Sequence, residues 1–487
     1  MSEPVFRRLH PLTIVVELFK VVGRWIIFFA FLAYQRITSG EGSAENFWIE
    51  ALGGVAVLAA VARYYSYTFA IHNGHLHIRS GIFVRQNRTI PLDRIQNINL
   101  QRTVVHRILG LVDLRIETAA GIGTEASLSA LDLEEAARVR KQLAQHIEQT
   151  KPDDPAQGGY SAPKSVYRIT QRELILAGVT ENRALAIMGS LAGLSFFFQG
   201  QLAPIRQRFL DTGIEMWALV TASIVILLVV GCLFSIVSTF VTYGNFVLTR
   251  EDGRLRRKYG LLTQVESVVP LSRVQVMRTT ETLIQRALKL CKLYVETAGS
   301  FSEKDMGGSS LVSPLLESKR LPTIARSVLP DKLDQPLIWK PVSKRTVRKH
   351  FQVRLVGFGV LIAVSSFFFG PVAFYALIPA ALLAWLTGVI AYKTLAYGIG
   401  EKVLGSRLGL LNRWTWYVPH EKIQAVTMRQ SPFQRRLDLI SVSLFTGASG
   451  PGSVASVIDL RSADAENLAD LAHQRSIRTG RPTGDGL

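Results

Sequence analysis

Cysteine is nearly absent: the chain has two, Cys232 and Cys291, in 487 residues. They stand far apart and one lies inside an apolar run, which excludes a disulfide framework and a cysteine-rich metal site and fits a reducing compartment. Charge is scarce too. Asp, Glu, Lys and Arg make up 19% of positions, against about 25% in soluble globular chains. Acid is scarcest, with 37 acidic against 56 basic residues and a net charge of +19. No HExxH, GxSxG, paired CxxC or GxxxxGK[ST] occurs, so metalloprotease, serine-hydrolase, dithiol-redox and P-loop readings lose their signatures. The chain reads as non-enzymatic, with no cofactor. Arg7 and Arg8 lead into an apolar stretch without a small-residue cleavage site, so no cleavable signal peptide is expected.

What is abundant is apolar sequence, 48% of residues. Met216 to Phe240 gives 25 residues without a formal charge, longer as a helix than a hydrocarbon core of about 30 Å. Leu355 to Tyr392 is uncharged for 38 residues, too long for one pass, and Gly370-Pro371 breaks it into two helices. Between Arg183 and Arg206 lie 22 uncharged residues that supply a partner for the Met216 helix. Ile14 to Tyr34 and Phe47 to Tyr64 make a weaker pair, interrupted by Glu17, Lys20, Arg24 and Glu50. The tips of these three hairpins, 35–46, 199–215 and 370–371, hold only Arg36, Arg206 and Arg208, 3 of the 56 basic residues. By the positive-inside rule the tips face out, and both termini and all long segments face the cytoplasm. Much of the positive charge then sets topology, and nucleic acid is not an expected partner.

Each hairpin is followed by a polar module, and the modules repeat. Gly81, Pro91, Gln96, Arg107 and Thr118 recur 179 residues later as Gly260, Pro270, Gln275, Arg286 and Thr297. They recur 328 residues after the first copy as Gly409, Pro419, Gln424, Arg435 and Thr446. Such regular repetition organises the whole chain. The expected domains are hairpin 1 (1–65), module 1 (66–150), a linker (151–167), hairpin 2 (168–243), module 2 (244–330), a basic linker (331–350), hairpin 3 (351–394), module 3 (395–477) and a disordered tail (478–487). Within a module, Asn73-Gly74, matched by Asp252-Gly253, marks a β-hairpin. A strand started by Pro91, Pro270 or Pro419 follows, with apolar and polar residues alternating. A further strand opens near Leu111, and a helix follows for which Asp132 or Ser462 is the N-cap. The fold class is membrane α-helical hairpins plus α+β modules, each an antiparallel barrel with a core of its own, closed by a C-terminal helix.

The string Gly-x9-Pro-x2-[Arg/Lys]-x-Gln, then x10-Arg-x-Leu-x-Leu, resembles the bacterial pleckstrin-homology (PH) domain membrane proteins of the YdbS/YdbT type, here with three PH-like repeats. The opening Arg8-Leu9-His10-Pro11-Leu12 is similar to the start of such chains. The resemblance implies PH-like β-barrels each capped by a helix, no established catalytic activity, and a multi-pass protein of the bacterial cytoplasmic (inner) membrane. The third copy departs from the pattern: Phe445 stands where the others have Glu117 and Glu296, and Gly400 to Gly405 carries no Asn-Gly turn.

Arg79, Lys258 and Arg407 occupy one aligned position, and copy two adds Arg254, Arg256 and Arg257. In eukaryotic PH domains the corresponding hairpin binds phosphoinositides, so the resemblance makes these residues candidate contacts for anionic headgroups; the plain alternative is a solvated face. The recurring Gly, Pro, Gln and Arg are what a repeated fold needs, and read as structural. His72, His75 and His77 include side chains that share a strand face. Copy two has Arg254 and Arg256 at the matching places and no acidic or thiol ligand joins them, so no metal is expected. Lys340, Lys344, Arg345, Arg348, Lys349 and Arg354 precede the third hairpin and serve topology and leaflet contact alike. The leading functional reading is a scaffold or lipid- and protein-binding platform, with membrane lipids and a membrane-protein partner, or self-association. A transporter or channel is one alternative, with few ionisable residues in its spans to mark a path. An envelope-stress or antimicrobial-peptide resistance component is another, which the resemblance allows.

Overall fold

The computed structural model describes residues 6–20, 44–81, 84–92, 95–118, 124–149, 164–181, 215–251, 253–297, 309–448 and 453–480, with scattered positions between 186 and 211. Most of hairpin 1's first arm, nearly all of the 183–206 arm, Asp252 and the chain beyond 480 lie outside the described residues.

Repeat one runs β1 (Arg7–Arg8), α1 (residues 13–20), α2 (Ala44–Ser66), β2 (Thr68–His72), β3 (His75–Ser80), β4 (Gln86–Pro91) and β5 (Ile95–Arg102). It continues through α3 (Val104–Ile108), β6 (Leu111–Thr118), β7 (Thr124–Asp132) and α4 (Leu133–Gln149). Repeat two has β8 (Lys164–Arg168), α5 (Gln171–Thr180), α6 (Met216–Tyr243), β9 (Val247–Glu251), β10 (Arg254–Tyr259), β11 (Gln264–Pro270) and β12 (Val274–Glu281). Then come α7 (Leu283–Ala287), β13 (Leu290–Thr297), β14 (Ser309–Glu317) and α8 (Leu321–Val328). Repeat three has β15 (Ile338–Pro341), α9 (Arg345–Phe369), α10 (Leu377–Thr394), β16 (Ala396–Ile399), β17 (Val403–Leu408), β18 (Arg413–Pro419) and β19 (Ile423–Arg429). It ends with α11 (Pro432–Arg435), β20 (Leu439–Thr446), β21 (Ala455–Arg461) and α12 (Ser462–Gly480).

Asn73 (φ 48°) and Gly74 (φ 72°) form the left-handed pair that a two-residue hairpin requires. The third repeat makes the same hairpin without Asn-Gly: Gly400 N–H donates to Val403 O at 3.0 Å across a three-residue loop. The recurring prolines end strands rather than start them. β4, β11 and β18 close on Pro91, Pro270 and Pro419, and the next strand begins four residues on. A residue with no N–H is tolerated on the last rung of a ladder, where no donor is needed. Ser462 is the first helical residue of α12, and its hydroxyl donates to Asp438 Oδ1; Asp132 Oδ1 does accept a backbone bond, from Leu133 N at 2.7 Å.

The chain divides into two compact units. The first comprises Met1–Ser161 with Arg256–Val268. It holds the antiparallel sheet β1-β2-β3-β4 and the ladder β5-β6-β7, with Gln264 to Glu266 paired antiparallel to Arg102 to Leu100. Leu76, Ile90, Ile95, Leu114, Ile116 and Leu128 fill its core. Ala136, Val139 and Leu143 of α4 join them, their spacing placing them on one helical face.

The second unit comprises Ala162–Leu255 and Val269–Leu487. It contains a seven-stranded antiparallel sheet, β14-β13-β12-β18-β17-β16-β15, and the sheet β19-β20-β21. Trp416, Val418, Ile423, Val442 and Leu444 pack with Ala465, Leu468 and Ala472 of α12. β12 belongs to repeat two and β18 to repeat three, and Met277 to Glu281 pair with Tyr417 to Arg413. The expectation of barrels standing separately is therefore corrected: an edge strand's unpaired N–H and C=O groups are satisfied by the next repeat.

Strands also occupy stretches read as linkers. β8 pairs with β9 and β15 with β16, as β1 does with β2, so each helical segment is inserted between two paired strands of its module. Among the described residues, two helical segments, Trp217–Tyr243 and Arg345–Thr394, are long and apolar enough to cross a membrane. In the latter, α9 and α10 approach so closely that a Cβ on Gly388 would lie 2.9 Å from Val347 O. Gly178 of α5 meets Ile236 of α6 in the same way, at 2.6 Å from its Cα, as small residues permit at membrane-helix crossings.

Candidate functional site

The recurring glycines follow from backbone geometry. Gly81, Gly260 and Gly409 have φ of 108°, 102° and 110°, where an L side chain is strained. A Cβ would sit 1.9 Å from Val84 O at Gly81 and 1.8 Å from Asn412 O at Gly409. Gly409→Ala is expected to lower the stability of the full-length protein by about 1–3 kcal/mol from the backbone alone, read as a drop in its thermal midpoint. Gln96, Gln275 and Gln424 each sit where the ladder shifts register, between Ile95 and Asn97, Val274 and Val276, and Ile423 and Ala425. Arg107, Arg286 and Arg435 lie in the last turn of the short helices α3, α7 and α11. A left-handed residue follows each helix: Gly110, Lys289 or Asp438.

The candidate headgroup residues separate. Along β10 burial alternates, so Arg254, Arg256 and Lys258 are exposed while Leu255 and Arg257 face inward. Arg257 therefore leaves the set; its guanidinium lies 5.8 Å from the Tyr259 ring. Arg256 pairs with Glu266 at 2.5 Å. Arg254 stands near Arg273, whose pKa is lowered by burial and by the Arg254 charge; the sequence reading did not include Arg273. Arg79 is exposed but stacks 3.8 Å over Phe6, and Arg407 lies 4.2 Å over Trp339 on β15. Burial, then Arg413, lowers the pKa of Arg407. Arg407 thereby joins β15 to the module, and Arg79 joins the residue just before β1. His75 Nδ1 lies 2.8 Å from Asn73 O and His77 Nδ1 3.1 Å from Thr89 Oγ1.

A second constellation escaped the sequence reading. Immediately before each recurring arginine of the short helix stands a buried polar residue: His106, Gln285 or Gln434. Each follows a hydroxyl cap, Thr103, Thr282 or Ser431. In repeat one, His106 Nε2 donates to Asp113 Oδ1 at 2.8 Å, and Lys20 of α1 lies 3.7 Å from Oδ2. Lys20 also pairs with Glu17, which Arg63 of α2 meets at 3.3 Å. Burial raises the Asp113 pKa, but the His106 hydrogen bond and the Lys20 charge outweigh it and hold the carboxyl below its ordinary range. In repeat two, Gln285 donates to Thr180 Oγ1 at 3.2 Å, and Lys292 pairs with Glu181 directly after α5. In repeat three, Gln434 donates to Asp459 Oδ1 at 2.7 Å, and Lys349 of α9 donates to both carboxylate oxygens at 3.0 Å. His350 Nε2 is 3.5 Å from Oδ2. Each module is thus tied by a polar latch to a helix of the segment inserted between its first two strands. The pattern Ser/Thr-x-x-His/Gln before the recurring arginine was the available signal; in repeats two and three it closes a capping box.

The bacterial PH domain family matches three times, over residues 13–147, 192–331 and 354–476. The chain belongs to the bacterial PH domain family. The chain is 26% identical, over 488 aligned positions, to UPF0699 transmembrane protein YdbT of Bacillus subtilis (strain 168), covering 96% of this chain and 97% of that one. UPF0699 transmembrane protein YdbS of the same organism is 28% identical over 116 residues, 22% of this chain and 71% of its own length. No solved structure matches. The bacterial PH repeats here are built on antiparallel sheets, and in repeats one and three residues of α4 and α12 join the buried core.

Proposed function

We propose that this bacterial PH protein is a non-enzymatic, multi-pass scaffold of the cytoplasmic membrane whose three repeats lie on the cytoplasmic side and contact anionic lipid. The polar latch carries the reading: a module bound rigidly to its own membrane helix is held at a set height over the leaflet, as a platform requires. The exposed residues of β10, Arg256 and Lys258 in the first unit and Arg254 near Arg273 in the second, supply positive charge, each basic residue near an anionic surface contributing about 1 kcal/mol.

The experiment uses the full-length protein in nanodiscs containing headgroup-photoreactive phosphatidylglycerol. Crosslinking is expected at β10, and replacing Arg254, Arg256 and Lys258 together by Gln should lower it severalfold at low salt, with the difference shrinking as the Debye length falls below about 8 Å. Equal labelling of both proteins overturns the lipid contact. For orientation, single cysteines in a Cys232→Ser, Cys291→Ser background should react with an impermeant maleimide from outside at Val372 and not at Ser318; the reverse pattern overturns the cytoplasmic placement.

A further inference from the structure

The first unit contains a cleft of about 430 Å³ between the β5 ladder and α4, lined by Leu100, Val112, Leu133, Ala136, Ala137 and Val265, with Arg102, Lys258, Gln264 and Glu266 among its polar residues. That volume falls in the usual ligand range of about 300–1,000 Å³. All these residues lie in the first unit. At its polar end Arg102 Nε is buried with no hydrogen-bond acceptor. Glu266 does not serve it, being engaged by Arg256 at 2.5 Å.

The repeat itself shows what is missing. Arg102 pairs across the strands with Gln264, and at the equivalent rung of the second unit Glu281 pairs with Arg413. There the two side chains form an ion pair, and Trp414 stands where the first unit has Val265. In the first unit the carboxylate position holds a guanidinium, the arginine position holds an amide, and the indole is reduced to a valine. One seam is closed by an internal carboxylate; the other keeps the cation, with Lys258 lining the same cleft.

We infer that this cleft binds a single-chain anionic amphiphile, its carboxylate or phosphate on Arg102 and Lys258 and its alkyl chain against Leu100, Val112, Leu133 and Val265. The site shares Lys258 with the exposed β10 face, but its Arg102 and its apolar walls lie outside that face, and it does not depend on the platform reading.

The full-length protein in phosphatidylcholine nanodiscs is photolabelled with a diazirine-bearing dodecanoic acid, and the labelled peptides are mapped. Label is expected within 100–102, 133–137 and 264–266, displaced by excess dodecanoate or dodecyl phosphate and not by uncharged dodecanol; whichever anion displaces better identifies the headgroup chemistry. Arg102→Gln should reduce cleft labelling by about tenfold or more, as loss of a charge-assisted hydrogen bond does. The triple variant Arg102→Glu, Gln264→Arg, Val265→Trp, which copies the closed seam, should abolish it. Label confined to the apolar helices, dodecanol displacing as well as the anions, or undiminished cleft labelling in Arg102→Gln each overturn the proposal, whether or not the triple variant folds.

Discussion

Lys349→Met is expected to destabilise the full-length protein by about 3–5 kcal/mol, the usual result of leaving a buried charge without its partner. Asp459 is fully buried, and Lys349 donates to both of its oxygens. Burial pushes its pKa up, yet His350, Lys349 and Gln434 together hold the carboxyl below its ordinary range. A carboxyl with a depressed folded pKa stabilises fully above its unfolded pKa of about 3.9 and loses that stabilisation as pH falls through the folded value. The wild type should therefore weaken in acid below about pH 4 at this group, while Lys349→Met is weak already at neutral pH. Asp459→Asn is the companion variant, because asparagine tolerates the left-handed backbone found there, φ 63°. In the double variant no charge is buried, and part of the loss should return. Thermal midpoints of the four proteins in nanodiscs measure this; a Lys349→Met protein as stable as wild type would show that the latch does not hold module three to α9.

Glu296 gives the opposite pH dependence. It is fully buried on β13, and burial pushes its pKa up to about 7 although Arg278 Nη2 stands 3.2 Å from its Oε1. Between the unfolded value of about 4.3 and the folded one, the folded chain keeps a proton that the unfolded chain has lost, so stability falls as pH rises. At about 1.4 kcal/mol per pH unit, this one group makes the protein about 3 kcal/mol less stable at pH 8 than at pH 4. Glu296→Gln is expected to remove that slope and to raise the thermal midpoint at pH 8. An unchanged slope between pH 5 and 8 would mean that Arg278 keeps Glu296 ionised. The third repeat solves the same position with Phe445, which has no charge to lose.

How much was legible in the sequence varied with the range of the interaction. The Asn73-Gly74 hairpin, the break at Gly370-Pro371 and the family came from local backbone chemistry and from residues at constant offsets, which no other part of the chain can alter. Hydroxyl caps spaced three residues before His106, Gln285 and Gln434 were equally local and could have been found, but a cap seen in sequence names only its helix, not Lys20, Thr180 or Lys349 at the far end of the latch. The strand β15 was unreadable because four residues ending in proline show no periodicity; it forms by pairing with β16 across the intervening hairpin.

The sequence by itself determined the threefold plan, the apolar segments and the glycine, proline and turn positions, because these rest on hydropathy, steric limits at one residue and identity at fixed spacing. Tertiary structure alone decided which charges are available and where modules meet. Arg257 turned inward through the two-residue period of its strand, and Arg79 and Arg407 were taken up by aromatic rings, Phe6 just before β1 and Trp339 on β15. The pairing of β12 with β18 was decided by hydrogen bonds between edges far apart in the chain, a choice of partner that no single strand encodes.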